Sequence, residues 1–214
     1  MHVWNWRGGS RQFSEKAVSH INDICFSPDG QNIAVGVDNG VLLWNVRRRQ
    51  AARLLKQCDV DCIAFTPDGM GLVSGSRDGT VKLWNHGLTR LNGSSDGRSE
   101  TENNSSGQDV LIFRHKVCAP FLDSLACFSD FLFFYQVSVR FVAVLSNGRW
   151  IVSCSYDGVC VWNARNGELH CEMRWHNNEF WLEGFDFSLV RNCLVAYSKM
   201  ENQVMLRRIK DVLE

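Results

Sequence analysis

The sequence lacks any excess of charge of one sign. Lys plus Arg and Asp plus Glu both number 23 in 214 residues, so the formal net charge at pH 7 is zero. A balanced chain offers no bulk electrostatic argument for binding nucleic acid or a membrane surface. The opening residues, MHVWNWRGGSRQFSEK, also lack the apolar region of a secretory signal. We therefore expect neither export nor direct contact with nucleic acid or membrane.

Disulfide, metal and catalytic patterns are also missing. Nine scattered cysteines, an odd number, are typical of reduced thiols in an intracellular protein. Cys58 and Cys62 have a spacing that invites a zinc interpretation, but no second pair follows, so buried thiols explain them better. No nucleophile elbow, P-loop or dinucleotide-binding glycine pattern occurs. We expect no enzyme activity, no cofactor and no metal.

What the chain does contain is an internal repeat. Three segments align with one another: INDICFSPDGQNIAVGVDNGVLLWN (21–45), VDCIAFTPDGMGLVSGSRDGTVKLWN (60–85) and VRFVAVLSNGRWIVSCSYDGVCVWN (139–163). Trp4, Trp44 and Trp84 follow one another at intervals of 40 residues. Fixed periods of this size are the signature of repeat architectures.

Turn-forming and strand-forming residues alternate within each copy. Ser27–Gly30 and Thr66–Gly69 have the composition of tight turns, because Pro presets φ, Asp bonds nearby backbone and Gly accepts positive φ. Short runs rich in Val, Ile, Leu and Trp separate the turns. No long stretch shows a helical period. The sequence therefore predicts an all-β fold.

Short strands, a period near 40 and a closing Trp together resemble the WD40 β-propeller family. In complete repeats of that family, a His, a Ser, a turn Asp and the closing Trp form one hydrogen-bonded group. In the third copy the resemblance implies this role for His115, Ser153 or Ser155, Asp157 and Trp162. In the second copy it implies the role for Ser74 or Ser76, Asp78 and Trp84, while the His is missing.

The outer copies depart further from the family pattern. The first keeps Trp44 but has Asn39 at the turn. A degenerate fourth copy, 175–209, keeps Ser198 and has Arg208 where Trp is expected. We expect a partial WD40 propeller of about four blades, an open arc that does not close into a ring.

Three regions make up the predicted domain organisation. Residues 1–85 hold the end of a preceding blade and two repeats. Residues 86–109 are rich in Ser, Asn and Gly and are predicted to be a disordered linker. Residues 110–214 hold the third and fourth repeats.

The third repeat is interrupted by 117–136, VCAPFLDSLACFSDFLFFYQ. A membrane span would place Asp123 and Asp130 in hydrocarbon. A core element fits poorly because the neighbouring copies reach their cores without it. Removing 117–136 restores HKVSVRFVAVLSNG, and Val and Gln codons at its ends are compatible with intron boundaries.

We interpret 117–136 as a retained intron, with a genuine loop insertion between blades as the alternative. Comparison of the mature transcript with genomic DNA decides between them.

The order of TVKLWN (80–85), the polar stretch, RHK (114–116) and GVCVWNARNGE (158–168) is similar to the carboxy-terminal repeats of Tup-type fungal general corepressors, relatives of Groucho proteins. This resemblance implies a non-catalytic scaffold, located in the nucleus or alternatively in the cytoplasm. Its implied partners are DNA-bound repressors, a TPR-containing corepressor subunit or histones. It also implies a helical amino-terminal region that is missing here, so a truncated gene model is expected. The alternative is a WD40 adaptor in ubiquitin-ligase substrate recognition or signalling.

One rim of the predicted propeller is the expected partner-binding surface. Arg77 and Tyr156 directly precede their turn Asp and are expected to be exposed there. Asp61 and Asn22 are expected nearby, at the entries to first strands. Tyr and Arg are frequent interface hot spots because they combine a large contact area with polar groups.

Overall fold

In the computed structural model of the protein, every described regular element is a β-strand. The described residues are 2–4, 11–14, 20–48, 50–84, 110–114, 138–156, 158–174, 182–188, 193–198 and 203–208. The predictions for His115, Asp157, 86–109 and 117–136 lie outside them. The all-β prediction is confirmed.

Three four-stranded antiparallel sheets, which we call blades 1 to 3, follow one another along the chain. Blade 1 comprises β3 (Ile21–Phe26), β4 (Asn32–Val37), β5 (Gly40–Asn45) and β6 (Gln50–Lys56). Blade 2 comprises β7 (Val60–Phe65), β8 (Leu72–Ser76), β9 (Thr80–Trp84) and β10 (Val110–Arg114). Blade 3 comprises β11 (Val139–Val144), β12 (Trp150–Ser155), β13 (Gly158–Asn163) and β14 (Leu169–Arg174).

Two smaller sheets stand at the ends of the series. The leading pair consists of β1 (His2–Trp4) and β2 (Arg11–Ser14). Blade 4 has three described strands, β15 (Leu182–Ser188), β16 (Cys193–Ser198) and β17 (Gln203–Arg208). The sheets form an open series, as expected for a partial propeller.

Strands pair in chain order within every blade, so each blade is a meander. The fourth strand of blade 2, β10, pairs with β9 from Val110 opposite Trp84 to Arg114 opposite Thr80. The polar stretch 86–109 therefore joins two strands of one blade. None of the described residues lies in a helix long and apolar enough to cross a membrane.

The first turn of each repeat is closed by a local hydrogen-bond set. Ser27 Oγ donates to Asp29 Oδ1 at 2.5 Å and accepts from the Asn32 amide at 2.9 Å. Gly30 has φ of 67°, a left-handed value that glycine adopts without the steric cost of a Cβ. The turn chemistry predicted from SPDG therefore forms as expected.

The hydrophobic core lies between blades as well as within them. Apolar residues of blades 1 and 2 share one cluster: Ala34, Val41, Leu43, Leu55, Val60, Ile63, Leu72 and Trp84. A second cluster joins blades 2 and 3: Cys62, Val73, Val81, Leu83, Phe113, Val139, Val142, Val144, Ile151, Cys160 and Trp162. Full burial of each Val, Leu or Ile side chain contributes about 1.5–3 kcal/mol, so the junctions contribute much of the stability.

Strand register in blade 4 corrects one sequence prediction. Trp84 lies opposite Leu72 and Trp162 lies opposite Ile151. The residue opposite Leu194, which holds the same place in blade 4, is Arg207. Placing Arg208 at the Trp position was therefore wrong by one residue.

Candidate partner-binding rim

A β-bulge recurs at the same point in the first strand of each blade. The register shifts between Ile21 and Asp23 in β3, between Val60 and Cys62 in β7, and at the corresponding point of β11. The residues skipped by these shifts are Asn22, Asp61 and Arg140. Because a bulge leaves a residue out of the ladder and redirects its side chain, these three residues are available for other contacts.

Each bulge residue faces the residue that directly follows the second strand of its own blade. In blade 1, Asn22 Nδ2 donates to Asp38 Oδ1 at 3.4 Å. In blade 2, Arg77 Nε donates to Asp61 Oδ1 at 2.8 Å.

Blade 3 makes the equivalent contact without a carboxylate. The Arg140 guanidinium lies over the Tyr156 ring, 5.8 Å from its centroid, within cation–π range. We call the six residues of the three pairs the rim set: Asn22, Asp38, Asp61, Arg77, Arg140 and Tyr156.

The rim set also links one blade to the next. Asn22 Nδ2 donates to the Val60 carbonyl of blade 2 at 2.9 Å. Arg140 Nη1 of blade 3 donates to Asp61 Oδ2 of blade 2 at 2.7 Å. The rim set therefore makes a polar contact across each of the two junctions between blades 1, 2 and 3, and its geometry depends on how the blades pack.

Charge and exposure differ sharply among the members of this network. The Asp61 side chain is only 6% exposed, whereas Arg77 is 52% and Arg140 is 34% exposed. One buried carboxylate is thus shared by two guanidinium groups, which leaves a net charge of +1 on the three side chains. The Asp61 charge is the main cause of a raised pKa for Arg77. The arrangement presents positive charge to solvent and keeps the negative charge underneath.

All four residues predicted for the partner site lie in the rim set. Arg77 is exposed as expected, but Tyr156 and Asn22 are only partly exposed. Asp61 positions the two arginines from below the surface. Contact of any of them with a partner stays a prediction.

Arg140 and Asp38 were missed. Arg140 aligns with Asp61 in the repeat, and Asp38 aligns with Arg77. Arg140 and Asp38 could both have been found by comparing the residues at equivalent positions of the three repeats.

The hydrogen-bonded group expected in blade 2 is present with a substitute for the His. Trp84 Nε1 donates to Ser74 Oγ at 2.8 Å, and the Ser74 hydroxyl donates to Gln57 Oε1. Gln57 Nε2 in turn donates to Thr80 Oγ1 at 3.2 Å, and Thr80 Oγ1 donates to Asp78 Oδ1 at 2.5 Å. Gln57 fills the role that the family resemblance assigns to the His, and the group joins β8, β9, the turn between them and the residue three before β7.

Blade 3 repeats the central contact, with Trp162 Nε1 donating to Ser153 Oγ at 2.7 Å. Of the two serines considered there, Ser153 therefore holds the Trp, and Ser155 Oγ faces the Gly158 carbonyl at 3.5 Å. In blade 1, Val35 stands where Ser74 and Ser153 stand, and Trp44 is buried beside it.

The prediction of buried thiols holds for Cys62 and was wrong for Cys58. Cys58 is exposed and Cys62 is buried, and burial raises the pKa of the Cys62 thiol well above its ordinary value. Across the described stretches, no group of three or more His, Cys, Asp or Glu side chains is placed to hold a metal ion.

Comparison with known proteins agrees with the strand pattern. The family model described as "WD domain, G-beta repeat" matches residues 12–45, 52–85 and 131–163. The chain contains WD40 repeats. Such repeats are typical of protein-interaction scaffolds rather than enzymes.

The relatives that align with this chain are WD-repeat proteins with different names. The chain is 34% identical over 67 residues to WD repeat-containing protein 18 of Danio rerio, covering 30% of this chain and 16% of that protein. It is 31% identical over 86 residues to Protein hir1 of Schizosaccharomyces pombe, covering 39% of this chain and 9% of that protein. It is 26% identical over 168 residues to Target of rapamycin complex subunit wat1 of the same yeast, covering 71% of this chain and 52% of that protein. The chain therefore spans about half of this last relative and much less of the other two.

Proposed function

We propose that this chain is a non-catalytic scaffold of the transcriptional corepressor type, and that its rim set binds a segment of a DNA-bound repressor. The observation that carries the proposal is the sharing of the buried Asp61 carboxylate by Arg77 and Arg140. This arrangement fixes two arginines at the surface without neutralising both.

The chemistry of the rim suits a protein segment. Arg77 offers a half-exposed guanidinium, and Tyr156 offers a ring already stacked against Arg140. Arg and Tyr are enriched among the residues that dominate interface energies. Preorganisation by Asp61 and Arg140 lowers the entropy lost on binding, since the side chains are already ordered in the free protein.

The corepressor assignment rests on the order of WD40 segments and the polar stretch that resembles Tup-type proteins. By that resemblance the partners are repressor peptides, a TPR-containing subunit or histones, and the location is the nucleus, with the cytoplasm as alternative.

A second candidate is an adaptor in another multi-protein complex, in signalling or ubiquitin-ligase substrate recognition. It is favoured by wat1, whose name describes a subunit of the target of rapamycin complex and which aligns with 71% of this chain.

Tethering the chain to a reporter promoter through a heterologous DNA-binding domain tests the corepressor proposal. We expect several-fold repression that is lost in Arg77→Ala and retained in Arg165→Ala. Arg165 is the matched control because it is also an exposed arginine. It follows the carboxyl end of β13, whereas Tyr156 of the rim set precedes the amino end of that strand.

Equal reporter activity with and without the tethered chain contradicts the corepressor proposal and favours the adaptor. Repression that survives Arg77→Ala keeps the corepressor role and moves the partner site away from the rim.

A further inference from the structure

The outermost strand of blade 2, β10, has an edge with little of the protection that sheet edges usually carry. Among the described residues, β10 pairs with β9 alone, so no described strand pairs with its other edge. Natural sheets commonly guard such edges with charged side chains or Pro. The outermost strand of blade 1, β6, follows that rule with Arg53 and Lys56. In β10, residues 110–113 are all apolar, and the only charged residue is Arg114 at its end.

Ile112 of β10 is 55% exposed, and the fold does not require an apolar side chain at its position. The fourth strands of blades 1 to 3 can be compared through the third-strand residue that stands two before the Trp. The resulting pairs are Leu54 opposite Leu42, Ile112 opposite Lys82, and Glu172 opposite Cys160. Blade 3 folds with an exposed Glu at this place. Contact with another molecule therefore explains the exposed Ile112 better than folding does.

Positive charge surrounds Ile112. Lys82 lies directly opposite Ile112, and Arg114 lies two residues along the same face of β10. Lys82 Nζ donates to the Lys56 carbonyl oxygen of blade 1 at 3.4 Å, so the exposed Lys56 is also close. The strands β5, β6, β9 and β10 contain no Asp or Glu. Asp78 interacts electrostatically with Arg114, so the three cations and this carboxylate together carry a net charge of +2.

Lys82 is already ordered beside Ile112. Its Nζ lies 5.2 Å from the centre of the Trp84 ring, within cation–π range, in addition to its bond to the Lys56 carbonyl. A side chain that is ordered before binding loses less entropy when a partner binds. A strand edge, an exposed apolar side chain and a preplaced cation therefore occur together on β10.

We propose that β10 binds an acidic, extended segment of a partner protein as a fifth strand of blade 2. In this mode, backbone hydrogen bonds to the strand edge supply affinity, and alternate side chains supply specificity. Directly opposed side chains on neighbouring strands lie about 4.5–5.5 Å apart, so an apolar side chain of the segment covers Ile112. Carboxylates at alternate positions on the same face then meet Arg114 and Lys82. The site uses no residue of the rim set, so it does not rest on the proposed function.

The test uses the whole chain and, as the probe, a short peptide with blocked ends that alternates Glu and Val. Fluorescence anisotropy measures its binding, and hydrogen exchange locates it. We expect the peptide to slow exchange of amides in 110–114, because strand pairing protects backbone N–H groups, and to leave 50–56 unchanged. A peptide that alternates Lys and Val should bind at least about fivefold more weakly, since like charges then meet. A Glu and Val peptide with a central Pro should also bind more weakly, because Pro lacks the amide donor.

Substitutions on β10 test the side-chain contacts. Ile112→Ser is expected to weaken binding of the Glu and Val peptide about fivefold. Arg114→Gln is expected to weaken it about threefold and to reduce its dependence on salt, because one screened charge contact is lost. Leu54→Ser is the matched apolar control, since Leu54 holds the same place on β6 and is 40% exposed. Arg165→Gln is the matched charge control on blade 3, and both controls should keep the affinity of the unaltered protein.

Several results overturn the proposal. One is the absence of binding by the Glu and Val peptide, and another is equal affinity for the Lys and Val peptide. Equal weakening by Ile112→Ser and Leu54→Ser, or slowed exchange in 50–56 instead of 110–114, also overturns it. A two-copy mass in sedimentation velocity that Ile112→Ser abolishes makes a second copy the occupant and overturns it too.

Folding is checked in parallel by circular dichroism. If Ile112→Ser loses its β signal, Ile112→Thr replaces it, since Thr keeps a β-branched side chain suited to a strand. The exchange measurement on the unaltered protein needs no substitution and decides the location by itself.

Discussion

Arg140 of blade 3 donates a hydrogen bond from Nη1 to Asp61 Oδ2 of blade 2 at 2.7 Å, although the two residues are 79 positions apart in the chain. Asp61 also accepts from Arg77 Nε at 2.8 Å. One buried carboxylate therefore ties two blades together and holds both arginines of the rim set.

Asp61→Ala is expected to lower the free energy of unfolding by about 2–3 kcal/mol. It removes two charge-assisted hydrogen bonds: the bond to Arg140 accounts for most of the loss, at about 1.5–3 kcal/mol, and the bond to the half-exposed Arg77 adds little because water screens it. Arg77→Ala should cost less than about 1 kcal/mol, because Arg77 is half exposed and Asp61 keeps Arg140. Urea unfolding of both variants checks the difference, and equal losses would show that the Asp61–Arg140 contact adds little.

Ser74→Ala is expected to destabilise the protein by about 1–3 kcal/mol. The change removes the acceptor for Trp84 Nε1 and the donor to Gln57, and both partners are buried. Ser27→Ala in the first turn of blade 1 is the comparison. A smaller loss is expected there, because Asp29, one of its two partners, is exposed and can bond water, so only the Asn32 amide loses a buried partner. Urea midpoints that fall equally in the two variants would contradict the importance of the Trp84 contact.

Asp78→Ala is expected to destabilise more than Asp29→Ala. Asp78 Oδ1 accepts from both the amide and the hydroxyl of Thr80, which is itself joined to Gln57 inside blade 2. Asp29 accepts from Ser27 and from the Gln31 amide in an exposed turn. Urea midpoints measured side by side at neutral pH check the order. Equal urea midpoints for the two variants would show that the contact between Asp78 and Thr80 adds no stability.

The same aspartate gives a pH dependence. Burial raises the pKa of Asp78, but the hydrogen bonds with Thr80 and Ser76 and the charge of Arg114 together outweigh burial and leave the pKa below its ordinary value. Because the folded pKa is lower than the unfolded one, ionised Asp78 stabilises the fold above about pH 4, and this contribution is lost as pH falls through the folded pKa. The gap in stability between the unaltered protein and Asp78→Ala should therefore narrow in acid. A gap that widens below pH 4 would contradict the assigned direction.

Gly75→Ala is expected to destabilise the junction between blades 2 and 3. A Cβ at this position would lie 2.6 Å from Cys62 Sγ and 2.6 Å from Val139 Cγ1. Overpacking of this kind costs about 1–3 kcal/mol. Gly36 holds the same place in blade 1, where a Cβ would lie 3.2 Å from Val60 Cγ1, so Gly36→Ala should cost less. Thermal melts of the two variants test this order, and a larger loss for Gly36→Ala would contradict it.

The repeat pattern was sufficient to predict most strands, because each strand is a short apolar run bounded by residues with strong turn preferences. Ser27–Gly30 and Thr66–Gly69 form the predicted turns, and the pairing of Trp84 with a Ser follows the family pattern. These features are local or recur at a fixed interval, so a single sequence is enough to predict them.

One feature of the blade 2 interior and one of the rim set could not be predicted in this way. Gln57 stands three residues before Val60, whereas His115 stands four residues before Val139 once 117–136 is removed, so the spacing did not reveal Gln57. The sharing of Asp61 by Arg77 and Arg140 depends on a bulge and on the packing of neighbouring blades. The bulge position recurs, but its residue differs from copy to copy, as Asn22, Asp61 and Arg140, so no shared residue type in the sequence marks it.

The most direct test of the rim as a partner-binding surface is proximity labelling in the native cells, quantified for the tagged chain and three variants. We expect Arg77→Ala and Tyr156→Ala to lose the same group of labelled neighbours, while Arg165→Ala keeps them and all variants melt within a few degrees of the unaltered protein. Identical neighbours for the rim variants and Arg165→Ala, at unchanged melting temperature, would contradict partner binding at the rim.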